Sequence, residues 1–246
     1  MAAYPAGVPA ATAGGDERLY ERMRWVFERL PAGIDRLLDV GCNDGAGTAA
    51  FRRRSNLACG VDTNLAALQA GRRRFPDVQL AAASAAALPY PDAWFDCVVF
   101  SEVLEHLPRE LETACIGEIR RVLRAGGTLI ITTPHRGTFW WLDPLEMKPN
   151  LRRLAGRVRG RRESIKGHKH YQLEELSSLL SPHFTIQSVE RVGQFLYPLA
   201  YWGHLLPFGV GQQPRLVDLW KRMMDYDYTR DHGRDAYNVC IIATAR

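Results

Sequence analysis

The 246 residues are 46% apolar and 24% charged, which suits one folded α/β domain with a good core and room for an insertion. Net charge is +5 with a pI near 9.1, a mild basic bias that by itself decides nothing. Five scattered cysteines (Cys42, Cys59, Cys97, Cys115, Cys240) show no CxxC spacing and read as small buried thiols of a reducing cytosol.

Residues 1–15 carry no basic residue and no leucine-rich core, so they read as a disordered tail rather than a signal peptide. From Asp16 to Leu30, Leu19, Met23, Val26 and Phe27 share one helical face, and Pro31 stops the helix. Strands and helices then alternate. Strands are expected at Arg36–Val40, Ala58–Asp62, Val78–Ala82, Phe95–Ser101 and Thr128–Thr133, the fourth apolar enough to be buried on both faces. Helices are expected over Ala46–Arg54 and Asn64–Phe75. Another carries the stripe Leu111, Cys115, Ile119, Val122 and Leu123, ending at Arg124-Ala125-Gly126-Gly127 on a left-handed glycine cap. A helix at Leu173–Leu180, a strand at Phe184–Val189, a helix near Leu216–Met224 and a strand at Asn238–Ala243 complete the chain. This alternation implies right-handed crossovers and a doubly wound, mostly parallel sheet. It forms one domain over residues 16–246, with insertions at 135–170 and 194–232 as an acceptor-side lid.

The segment Leu37–Thr48, LLDVGCNDGAGT, runs an apolar strand into an acidic residue and a glycine-rich turn, and Asp62 follows at the end of the next apolar run. Such a turn lets backbone approach a ligand, and the second carboxylate can hold a ribose diol. A dinucleotide turn needs glycine at positions that here hold Gly41, Asn43 and Ala46, so NAD(P) is disfavoured; no Lys-Ser/Thr pair follows, so a P-loop fails as well.

The turn instead resembles motif I of the class I S-adenosylmethionine-dependent methyltransferases. Gly60-Val61-Asp62, the run Ala87–Asp92 leading into Phe95-Asp96, Ser101–Leu107, and EIRRVLRAGGTLIITTP are similar to that family's further segments, in its order and spacing over about residues 35–135. His170-Tyr171 with Glu174-Glu175-Leu176 resembles its downstream helix start. The resemblance implies a seven-stranded Rossmann-like sheet of order 3-2-1-4-5-7-6 with the last strand antiparallel, and S-adenosyl-L-methionine as cofactor. It places Asp39, Gly41, Cys42, Asn43 and Gly45 around the methionyl part, Asp62 and Thr63 at the ribose, Ser84 and Ala85 at the adenine, and Ser101 along the cleft. Two positions depart from the family: Ser84 stands where Asp is usual, and Asn43 replaces a glycine, which Asn tolerates through its ease in left-handed backbone.

Methyl transfer is an in-line displacement governed by alignment, with a base where the acceptor is a hydroxyl. Groups beyond the carboxyl ends of the strands line the cleft, which makes His106 the first candidate base and His135 the second. Glu102-x-x-Glu105-His106 also resembles the metal motif of some quinone-ring and small-RNA O-methyltransferases, with His168 or His170 to complete the shell. The same letters occur in relatives without a metal role, so a metal-free site is the leading reading. The basic run Arg152–Lys169 and the proline-broken apolar stretch Phe195–Gly211 suggest a mouth for a lipid-linked or amphipathic acceptor. Contact with the inner face of a membrane is compatible with them. Nucleic acid is disfavoured, since no nucleic-acid motif accompanies the charge.

The expectation is a cytoplasmic methyltransferase acting, at oxygen, on a small-molecule or lipid-linked acceptor. A cofactor-binding regulatory or scaffold module, a metal-assisted O-methyltransferase of a quinone-like or RNA hydroxyl, and a nicotinamide reductase remain as rivals.

Overall fold

A computed structural model describes residues 21–138, 169–193, 219, 222–223 and 225–246. The expected tail (1–15) and most of both expected insertions, with the basic run and the apolar stretch, lie outside the described residues.

Seven strands form one sheet: β1 (Ile34–Val40), β2 (Ser55–Asp62), β3 (Gln79–Ala82), β4 (Phe95–Ser101), β5 (Leu123–Pro134), β6 (Phe184–Val192) and β7 (Asn238–Ala245). Their order is β3-β2-β1-β4-β5-β7-β6. The first five pair in parallel, and β7 runs antiparallel between β5 and β6. This is the expected topology. The strand order reverses between β1 and β4, so a crevice opens at their carboxyl ends. The helices are α1 (Glu21–Glu28), α2 (Ala46–Phe51), α3 (Leu65–Arg74), α4 (Arg109–Val122) and α5 (Leu173–Leu180).

Side-chain alternation sorts the core into two layers. Leu38, Val40, Val98 and Phe100 face α4 and α5, through residues such as Ile116, Ile119, Leu176 and Leu180. Leu37, Cys97, Val99 and Ile130 face the other way, against Trp25, Val26 and Phe27 of α1 and Phe51 of α2. As expected, β4 is buried on both faces from Cys97 to Phe100. All five cysteines are buried free thiols. Helix α1 is docked by Glu190 of β6, whose carboxylate accepts from Trp25 Nε1 at 2.8 Å and from Arg29 Nε and Nη2 at 2.8 and 2.7 Å. Among the described residues, no helix is long and apolar enough to cross a membrane.

Several boundaries differ from expectation, most clearly where α4 meets β5. Helix α4 ends at Val122 because Leu123 is already extended and pairs with Phe95. The next pair is Cys97 with Thr128, so residues 124–127 bulge from β5, and Gly126 (φ +73°) turns that bulge rather than capping the helix. Helix α2 is also shorter than expected, tightening into a 3₁₀ turn over Arg52–Arg54.

Candidate active site

The turn after β1 is shaped by three residues at positive φ: Gly41 (+82°), Asn43 (+50°) and Gly45 (+76°). The glycines serve the protein's own packing as well. A Cβ on Gly41 would lie 2.1 Å from Val103 Cγ2, and one on Gly45 would lie 2.8 Å from both methyls of Leu80. Cys42 is buried, with its sulfur against Gly60. Gly41 and Cys42 donate their N–H groups to the Val61 carbonyl at 2.8 and 3.0 Å, and Asn43 donates to Asp62 Oδ2 at 2.8 Å, so the loops after β1 and β2 are joined. The other Asp62 oxygen accepts from Asn64 at 2.8 Å, which fixes the carboxylate at the strand end beside exposed Thr63. Each oxygen keeps a lone pair for a diol. Next in line, Ala83 donates to the Asp62 carbonyl at 3.1 Å. Ser84 Oγ accepts from Ala86 N–H at 3.2 Å in a local turn, and Ala85 turns its methyl into the core.

Asp39 tests the fit of a cationic cofactor. It is buried, and its carboxylate accepts the Thr48 hydroxyl at 2.7 Å. Burial raises its pKa to about 7, Thr48 opposing and the Asp62 charge adding to the rise. No ion pair to Asp39 occurs among the described residues, so a positive group alongside would restore its charge. S-adenosylmethionine, with its sulfonium and amino groups and its ribose diol, matches Asp39 and Asp62 together.

Across the switch point, Ser101 donates to Thr132 Oγ1 at 2.8 Å and Thr132 donates to Glu102 Oε1 at 3.1 Å. Arg22 of α1 meets Glu102 Oε2 at 3.3 Å, and Glu102 itself sits at φ +56°. Glu105 is buried, accepting from Thr133 at 3.2 Å through one oxygen while the other has no hydrogen-bond partner. Burial first, then the Glu102 charge, hold its carboxyl well above the usual range. His106 Nε2 lies 3.9 Å from Glu105, with its side chain 49% exposed. Among the described residues no three His, Cys, Asp or Glu side chains are grouped to hold a metal ion, and His168 lies outside them.

His135 follows β5 and is buried. Its Nδ1 donates to the Ala236 carbonyl at 3.1 Å, which leaves Nε2 as the basic nitrogen, and burial lowers its pKa. A cavity of about 610 Å³ lies there, lined by His135, Arg136, Gln172, Glu174, Arg191 and Arg234 among others. His106, the first choice from the sequence, does not line it. Sequence reasoning missed Arg136, Arg191 and Arg234. The rule that sites lie at the carboxyl ends of strands, applied to β5 and β6 and to the entry of β7, would have found them. Tyr171, bridged to His135 through the backbone, donates its hydroxyl to Glu112 at 2.7 Å. Helix α5 starts on Gln172 and Glu175 as a reciprocal capping box, where the family resemblance places a helix start.

Residues 38–131 match the methyltransferase domain family. A probable S-adenosylmethionine-dependent methyltransferase of Mycolicibacterium smegmatis is 36% identical over 123 residues, covering 49% of this chain and 47% of that protein. A ubiquinone/menaquinone biosynthesis C-methyltransferase of Pseudomonas putida is 32% identical over 128 residues, covering 48% and 49%. The chain thus spans about half the length of these relatives. A SAM-dependent methyltransferase from Archaeoglobus fulgidus shares the fold, with a TM-score of 0.59 at 16% identity over 91% of each chain. The joined loops of Asp39, Gly41 and Asp62 lie within residues 38–131, the part of the chain that matches the methyltransferase domain family and is similar to S-adenosylmethionine-dependent methyltransferases, ubiquinone and menaquinone methylases among them.

Proposed function

We propose that this chain methylates a hydroxyl of a small-molecule or lipid-linked acceptor bound beyond the carboxyl ends of β5 and β6. The observation that carries the reading is His135: it lines the 610 Å³ cavity, and its Nδ1–H is committed to Ala236, so Nε2 is the free basic position. When bound, the cofactor supplies an electrophilic methyl on sulfur. Asp62 holds the ribose hydroxyls, Asp39 faces the cationic end, and the Gly41–Gly45 turn follows the methionyl chain. Ser84 and Ala85 border the adenine. His135 would take the proton of the acceptor hydroxyl as its oxygen bonds to the methyl, and return it to solvent afterwards. The methyl–sulfur bond would break in the same step, leaving the neutral thioether S-adenosylhomocysteine. Near neutral pH the lowered pKa keeps the imidazole unprotonated and ready for that role. The basic run and apolar stretch of the sequence support a lipid-linked acceptor at an anionic membrane face.

Calorimetry with S-adenosylhomocysteine and NADPH, followed by turnover with an acceptor panel, tests this. Micromolar binding of the first ligand only, and turnover that His135→Ala reduces about 100-fold or more, are expected. Turnover intact in His135→Ala overturns the base assignment. A second reading, a regulatory module that binds the cofactor weakly, is favoured by Ser84, whose hydroxyl is spent on a local turn where the family usually has a carboxylate. Millimolar affinity for S-adenosylhomocysteine with no turnover of any acceptor would select it.

A further inference from the structure

We propose that the cavity beyond β5, β6 and β7 is a binding site for a phosphate-class polyanion, a monophosphate or diphosphate group carried by the acceptor. Calling the ligand the acceptor rests on the methyltransferase reading; the anion site itself does not.

Three arginines far apart in sequence meet at one end of the sheet. Pro134 and Val192 both pair with Asn238, so the exits of β5 and β6 and the entry of β7 lie side by side. Arg136 follows β5, Arg191 is the penultimate residue of β6, and Arg234 sits in the 3₁₀ turn before β7; all three line the cavity. Arg136 and Arg234 are exposed, and neither forms an ion pair among the described residues. Arg191 Nε is buried with no hydrogen-bond partner, its nearest carboxylate oxygen being that of Asp231 at 3.8 Å. One carboxylate, Glu174, shares the cavity with them, at the first turn of α5, where the helix dipole already favours negative charge.

The backbone around these side chains is fixed. His135 N–H donates to the Tyr237 carbonyl at 2.7 Å, Arg136 N–H to Tyr171 at 2.9 Å, Thr138 N–H to Arg234 at 3.3 Å, and His232 N–H to Arg191 at 2.7 Å. Thr138 also donates its hydroxyl to Asp235. At Gly137 the chain crosses so closely that a Cβ would lie 2.2 Å from the Ala236 carbonyl oxygen. Guanidinium forks on three anchored elements offer more parallel donors than the two oxygens of one carboxylate can accept, whereas phosphate and diphosphate oxygens can accept them. The volume leaves space for a group attached to that anion.

Titration of the full chain with inorganic pyrophosphate and with inorganic phosphate at constant ionic strength, alongside S-adenosylhomocysteine, tests the site. Submillimolar pyrophosphate binding, with phosphate weaker, is expected. Arg136→Gln and Arg234→Gln should each weaken pyrophosphate about tenfold, as loss of a charge-assisted bond does. Both variants should keep the unfolding midpoint and the S-adenosylhomocysteine affinity. A short alkyl diphosphate that binds more tightly than pyrophosphate assigns the anion to a lipid-linked acceptor; equal affinity assigns it to a water-soluble one. No pyrophosphate binding at millimolar concentration by a chain that binds S-adenosylhomocysteine overturns the proposal. So does binding that is unchanged in the Arg136→Gln/Arg234→Gln double variant. Pyrophosphate binding without S-adenosylhomocysteine binding keeps the anion site and removes the methyltransferase reading.

Discussion

Thr48 donates its hydroxyl to the buried carboxylate of Asp39 at 2.7 Å, tying the first turn of α2 to the strand from which the glycine turn springs. That one bond does not offset burial, which raises the Asp39 pKa from 3.8 to about 7. In the unfolded chain the group ionises at the lower value, so folding stability falls as pH rises from about 4 to about 7, and is level above that. Asp39→Asn should flatten this slope, leave the free protein more stable at pH 8, and weaken cofactor binding. A cation bound beside Asp39 favours its charged form, so S-adenosylmethionine binding near pH 6.5 should release up to one proton. Calorimetry in buffers of different ionisation enthalpy measures it, and no release in wild type would refute the pairing.

Gly41→Ala introduces a Cβ 2.1 Å from Val103 at a backbone φ of +82°. Steric and backbone strain together should cost about 2 kcal/mol or more, with cofactor binding lost as the turn shifts. Adding Val103→Ala relieves the clash but not the φ strain, so urea unfolding should show partial recovery. Full recovery would mean that the positive φ is not required.

Burial and then the Glu102 charge favour the protonated form of Glu105 and hold its carboxyl well above the usual range, with one oxygen lacking a hydrogen-bond partner. Because its folded-state pKa is the raised one, its contribution to stability is lost as pH rises from about 4.5 through that value. Glu105→Gln keeps the shape and removes the ionisation. Its unfolding midpoint should exceed wild type at pH 8 and match it at pH 4; the reverse order would show that the charged carboxylate is the native form.

Among the described residues, Glu190 alone accepts the Trp25 indole N–H, and it also accepts from Nε and Nη2 of Arg29. Glu190→Ala leaves the buried indole donor unsatisfied and should cost about 1–3 kcal/mol. Glu190→Gln, which keeps an acceptor, should cost less. Chemical denaturation followed by tryptophan fluorescence distinguishes the two.

His135 should titrate below 6.5, since burial disfavours the imidazolium more than the Ala236 bond favours it. Proton NMR of the imidazole against pH measures this without an acceptor. A value above 7 would contradict the neutral base. With an acceptor in hand, the acid limb of kcat/KM should fall below pH 6.5 as well.

The turn after β1 and the end of β2 were legible because their determinants are local. The turn Gly41–Gly45 and the strand end at Asp62 sit within a few residues of their own signals, and the alternation of Leu37 with Leu38 marks two buried faces. Glycines mislead where the same backbone freedom serves two purposes: Gly126 turns a bulge in β5 and does not cap α4. The docking of α1 was not legible, since Trp25 and Glu190 are 165 residues apart. Nor was the arginine cluster, because Arg136, Arg191 and Arg234 converge only through the antiparallel insertion of β7.

The place of β7 also sets an order of assembly. Every strand that carries the glycine turn and the Asp62 loop precedes residue 135 in the chain, so those strands leave the ribosome before β6 and β7 do. The strand between β5 and β6 comes last. Until it slides into place, β6 has no neighbour in the sheet, and Arg191 and Arg234 stand apart from Arg136. The nascent chain would therefore form the loops of Gly41 and Asp62 before the proposed anion site is assembled.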